Sequence, residues 1–126
     1  MSLYATLFPG CRIMHEGQSP NPLREQLLSM QEEDQRLMGA LMEAGELEEE
    51  KYHPRLRQLH ERNTADIKAI ITRHGWPGKS LVGQDGARAA WLTVQHSTLD
   101  PEFMKRALLL LQAAVAEGEA EGWCLA

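Results

Sequence analysis

Asp34, Asn63, Gln95 and His96 are the side chains whose types and positions point to chemistry. Asp34 and Asn63 each fill a place where a helical repeat calls for an apolar residue. A carboxylate in an apolar stripe is costly unless it is paired or hydrogen-bonded. The amides of Asn63 and Gln95 are donors suited to holding it ionised. Histidine is the side chain whose charge changes near neutral pH, so His96, with Asp34 as its electrostatic partner, is a candidate for proton transfer. Two readings of this set stand side by side. One is a satisfied internal network that fixes helix register. The other is the lining of a pocket in which His96 or Asp34 acts as acid/base or metal ligand.

A second concentration of unusual residues runs from His74 through Gly75-Trp76-Pro77-Gly78-Lys79-Ser80 to Gly83-Gln84-Asp85-Gly86, and on to Trp91, Gln95 and His96. Glycines at 75, 78, 83 and 86 allow a compact turn and close backbone approach. The candidate ligand-binding residues are therefore Trp76, Ser80, Asp85, Trp91, Gln95 and Asn63. A buried indole needs a partner for its N–H, and Asp85 or a loop carbonyl is suited to that. Gly78-Lys79-Ser80 imitates the end of a phosphate loop, but Arg73 stands where the first glycine belongs and no strand precedes it. Ser80, Asp85 and His96 are the residue types of a hydrolase triad. The G-x-S-x-G elbow is missing, and on a continuous helix Asp85 and His96 would lie roughly 16 Å apart.

No metal site is expected. The histidines at 15, 53, 60, 74 and 96 are scattered, no pair of E-x-x-H motifs lies on two helices, and the sequence does not specify a cofactor. Cys11 and Cys124 fit no metal-ligand spacing and read as free thiols of a reducing cytoplasm.

Four amphipathic helices must position these groups. The first starts at Asn21 as N-cap with Pro22 at N1, uses Leu23, Leu27, Met30, Leu37 and Leu41, and stops at Gly45. The second runs from about Pro54 to His74, with Leu56, Leu59, Ile67, Ile70 and His74 on one stripe. The third opens near Asp85 as N-cap, with Ala87, Trp91, Val94 and Thr98 inward, widened by Leu92 and Leu99; Gln95 also points largely inward. Asp100-Pro101 opens the fourth, which uses Met104, Ala107, Leu108, Leu111, Ala114 and Val115. No strand is expected. The fold class is all-α, a single-domain four-helix up-down bundle with a Gly/Pro/Trp loop between helices 2 and 3. Residues 1–20 read as an irregular tail, 21–118 as the helical domain and 119–126 as a short C-terminal tail.

At 126 residues the chain supports one modest core. Its formal net charge of -5 argues against nucleic acid, which needs a basic surface. No apolar run approaches the ~20 residues of a membrane span, and the N-terminus has no secretory signal. The partners left are a small molecule, another protein or a second copy docking on the Leu-rich fourth helix.

The block His74-Gly75-Trp76-Pro77, Ser80-Leu81-Val82-Gly83, Asp85-Gly86-Ala87, Ala90-Trp91-Leu92 and Gln95-His96, with Glu33-Asp34-Gln35, Asn63-Thr64 and Asp100-Pro101-x-Phe103, resembles a bacterial family known only as a domain of unknown function. The resemblance covers roughly residues 22 to 118. It implies a cytoplasmic, helical bacterial protein and brings no activity. Members of that family usually continue with a further segment carrying a Tyr-Leu-x-Asp-Arg-like run, whereas here only Glu119 to Ala126 follow. An apolar face left open for a partner is the expected consequence. The sequence thus supports a small binding module built on the Trp-Pro loop, or an enzyme with a pocket formed by Asp34, Trp76, Trp91, Gln95 and His96.

Overall fold

The computed structural model describes residues 20–125. The expected 1–20 tail, with Cys11 and His15, lies almost wholly outside them. Among the described residues the chain is all-α. Its helices are α1 (Pro22–Glu43), α2 (Pro54–His74), α3 (Lys79–Gln95) and α4 (Pro101–Ala116), followed by a 3-10 turn at Gly122–Leu125.

The helix boundaries follow from local chemistry. Asn21 accepts from the Arg24 N–H at 3.0 Å and Asp100 from the Phe103 N–H at 3.1 Å, each with proline as the next residue. These caps satisfy amides that have no partner within the helix. His53 caps α2 through its ring, accepting from the Arg55 N–H. At the other end Gly75, with φ 74°, lets the chain leave α2.

α3 packs against each of the other three helices and lies most extensively along α1. It begins six residues earlier than its periodicity implied. Gly78 carbonyl bonds from Leu81 and Val82 wind a first turn, and the helix then breaks at Gly83 (φ 77°, ψ 167°) before continuing. Asp85 consequently lies in the first turn after the break. Its carboxylate accepts from the adjacent Gly86 N–H at 2.8 Å and pairs with Arg24 of α1.

Replacing Gly83 by alanine is expected to destabilise the fold by about 1–3 kcal/mol, the range for a backbone region that side chains avoid. The new Cβ would also stand 3.2 Å from Asp85 Oδ1. Gly39→Ala, with nothing within 4 Å of its Cβ, is expected to stabilise by about 0.5–1 kcal/mol because alanine favours a helix interior. Urea unfolding midpoints of the two variants check the contrast.

The main core gathers Leu27 and Met30 of α1, Ile67 and Ile70 of α2, Val82, Ala89, Ala90 and Val94 of α3, and Phe103 and Ala107 of α4. The phase of α4 differs from the expected one. Phe103, Ala107, Leu111 and Ala114 are buried, while Leu108 is 46% exposed. Phe103 anchors the helix where Met104 was expected to. Thr98 and Leu99 are exposed because α3 ends at Gln95, so its repeat no longer applies to them; His74, the last residue of α2, is also exposed. A second cluster of Leu111, Ala114 and Ala120 packs with Trp76, Trp91 and Cys124, so residues beyond α4 fold back onto the bundle.

Candidate functional site

A polar layer interrupts this packing. On α1 Asp34 lies between buried Met30 and Leu41; on α2 His60, Asn63 and Thr64 lie between Leu59 and Ile67. The C-terminal end of α3 adds Thr93, His96 and Ser97. Thr64 donates to Ser97 Oγ and Ser97 to the Thr93 carbonyl, both at 2.9 Å. That chain ties α2 to the end of α3 and so positions His96, which carries the helix C-cap.

Asp34 is the centre of the layer, and its carboxylate bridges two imidazoles. His60 Nε2 lies 2.5 Å from Oδ1 and His96 Nδ1 lies 3.1 Å from Oδ2. Gln35 donates its amide to Oδ2 at 2.9 Å. The side chains of Asp34 and His60 are 4% and 7% exposed, that of His96 26%. The two rings lie face to tilted face, with centroids 4.8 Å apart. Behind them the Tyr52 hydroxyl meets His60 Nδ1.

The electrostatics fix who donates. Burial, the largest influence on Asp34, pushes its carboxyl upward; hydrogen bonds from His60 and His96, with their charge, outweigh it and hold the carboxyl well below the usual range. An ionised carboxylate only accepts. His60 therefore presents Nε2–H and His96 presents Nδ1–H. His60 Nδ1 is then an acceptor, and Tyr52, whose hydroxyl is pushed up chiefly by burial, is the protonated donor it requires. At the other end of the relay, the neutral tautomer of His96 that donates from Nδ1 carries its lone pair on Nε2.

Several expected site residues lie elsewhere. Gln95 is exposed and does not hold Asp34; Gln35 supplies that amide, because a C-terminal helix residue beside an inward histidine points outward. Asn63 is buried one turn along α2 from His60. Ser80 donates to Glu119 Oε2 at 2.5 Å and Asp85 is engaged by Arg24. The triad types Ser80, Asp85 and His96 are thus each bonded to other partners. Trp91 donates to the Cys124 carbonyl at 3.2 Å, whereas the buried Trp76 indole N–H has no partner among the described residues. Trp76 and Gln95 line a surface groove of about 220 Å³ with Val94, Met104, Leu108 and Leu111. The single pocket expected from Asp34, Trp76, Trp91, Gln95 and His96 is therefore divided: Trp76 and Gln95 line this groove, Asp34 and His96 lie in the polar layer, and Trp91 packs against Trp123.

Residues 21–123 match the model of DUF6624, a family of unknown function. The chain belongs to that family. The DUF6624 match runs from the Asn21 cap to Trp123, so it takes in the whole Asp34–His60–His96 layer and every helix that positions it. Comparison with curated proteins and with solved structures finds no match. No helix among the described residues is long and apolar enough to cross a membrane.

His60 and Tyr52 are the site residues that sequence reasoning passed over. His60 follows Leu56 by four residues and precedes Asn63 by three, spacing that already put it on the buried face. Tyr52 precedes α2 and carries no periodicity.

Proposed function

We propose that the chain is an enzyme whose working centre is the Asp34–His60–His96 layer, with His96 as the proton-transfer group. The observation that carries this reading is the 3.1 Å approach of a buried, ionised carboxylate to His96 Nδ1. Asp34 fixes the tautomer and leaves Nε2 basic on the one imidazole of the pair that reaches solvent. Taking a proton from water or a substrate hydroxyl makes His96 an imidazolium, whose charge Asp34 offsets. The proton then returns to the leaving group. His60 holds the carboxylate, Tyr52 holds His60, and neither touches the reacting atoms.

His96→Gln is expected to lower the hydrolysis of p-nitrophenyl acetate by about 100-fold, within the usual yield of a positioned acid–base group. His74→Gln, at an exposed position, should leave it unchanged. An undiminished rate in His96→Gln would remove this reading.

A binding module is the second reading. It draws on the Trp76 groove and on α4, where Leu108, Leu109 and Leu110 are 46%, 67% and 38% exposed. The loop itself favours it less, since Ser80 and Asp85 already spend their polar groups on Glu119 and Arg24.

A further inference from the structure

We infer that Asp34, His60 and His96 form a binding site for a divalent transition cation of the zinc class. The inference deepens the enzyme reading and rests on it, because it supposes that these three side chains are the working centre; with an ion bound, the lone pair of His96 would go to the metal, and water at the open position would be the group that gives up a proton. One imidazole nitrogen from each histidine and a carboxylate oxygen all lie within 4.8 Å of one another. Two imidazoles and one carboxylate are the donor set of a catalytic zinc site, which keeps a fourth position open for water. Tetrahedral donors about 2.0–2.2 Å from the ion stand about 3.3 Å apart. The His96–Asp34 spacing of 3.1 Å is close to that, and the 2.5 Å His60–Asp34 pair must open. Movements on the order of 1 Å bring the set onto one ion.

Three further features fit a cation. Both donors to be held have outer partners of the kind that orient metal ligands: the Tyr52 hydroxyl, which would accept from His60 Nδ1–H once Nε2 takes the ion, and Gln35 on Asp34. Among the described residues Asp34 has ion-pair contacts with His60 and His96 alone, so a cation held by the two rings would take their place as the partner of the buried carboxylate. His96, 26% exposed, supplies the side from which an ion enters. Spacing along the chain concealed the set, since each ligand comes from a different helix or helix end.

The test uses the full chain without an affinity tag, stripped with a chelator and titrated with Co²⁺ and with Zn²⁺. The expected result is one equivalent bound, with the visible bands of four- or five-coordinate Co²⁺ and their displacement by Zn²⁺. His96→Gln and His60→Gln should each weaken binding about 100-fold or more, at least the loss seen when an outer partner of a metal ligand is removed. His53→Gln and His74→Gln should not. Thermal melts identify variants that fail to fold, and His96, partly exposed at a helix end, is the position least exposed to that failure. Absence of saturable binding, or binding untouched by both site variants, overturns the inference. If no ion binds yet ester hydrolysis still depends on His96, the metal falls and the proton-transfer reading stands. If ester hydrolysis is independent of His96 as well, both fall.

Discussion

Asp34→Ala is expected to destabilise the chain by about 3–5 kcal/mol, the range for removing one partner of a buried charged set. The loss comes from what is left behind. His60 Nε2–H, on a side chain 7% exposed, would face a void, and Gln35 would lose its acceptor. Asp34→Asn keeps the shape and should cost only about 1–2 kcal/mol. Its amide oxygen serves one imidazole, and the other must change tautomer, which His96 can do with water at its edge. The two variants also separate in acid. The Asp34 carboxyl is held below the ordinary carboxylate value of about 3.9. Its stabilising contribution is therefore complete above that pH and is lost as pH falls through it toward the folded-state value. Urea unfolding across a pH series should show a decline for the natural chain below about pH 4, and a shallower one for Asp34→Asn. Equal slopes would mean that the carboxylate is not held as the geometry requires.

The fold was legible because its signals are local. Asn21-Pro22, Pro54 and Asp100-Pro101 opened three helices at the expected residues, and one-sided burial followed the stripes Leu27–Met30 and Leu56–Leu59–Ile67–Ile70. Asp34 was legible for the same reason, as an acid out of place in an apolar series. What failed depended on partners distant in sequence. Ser80 binds Glu119 and Asp85 binds Arg24, and no spacing announces either. Gln95 was placed inward by a repeat that ends with α3. His60 was passed over because a histidine is apolar enough to pack and polar enough to be exposed. Only the carboxylate across the bundle decides between those roles.

That carboxylate also allows structure and function to be separated. The double variant Asp34→Val/His60→Leu removes the buried charge and its deepest partner together, replacing them with side chains of comparable bulk. Such exchanges are often neutral or stabilising, because they relieve the desolvation penalty that a polar set carries. His96 can turn Nδ1 to solvent, and Tyr52, which is only half-buried, can bond to water. The expected unfolding free energy lies within about 1 kcal/mol of the natural chain or above it, in contrast to Asp34→Ala. Co²⁺ affinity and His96-dependent ester hydrolysis should both fall by about 100-fold or more. A chain that folds as well without Asp34 and His60 does not need them to set helix register, so their presence in the core must be explained by what they bind or transfer. If the double variant instead unfolds as readily as Asp34→Ala, the polar layer is a structural tie between α1, α2 and α3, and the chemistry assigned to it has no support.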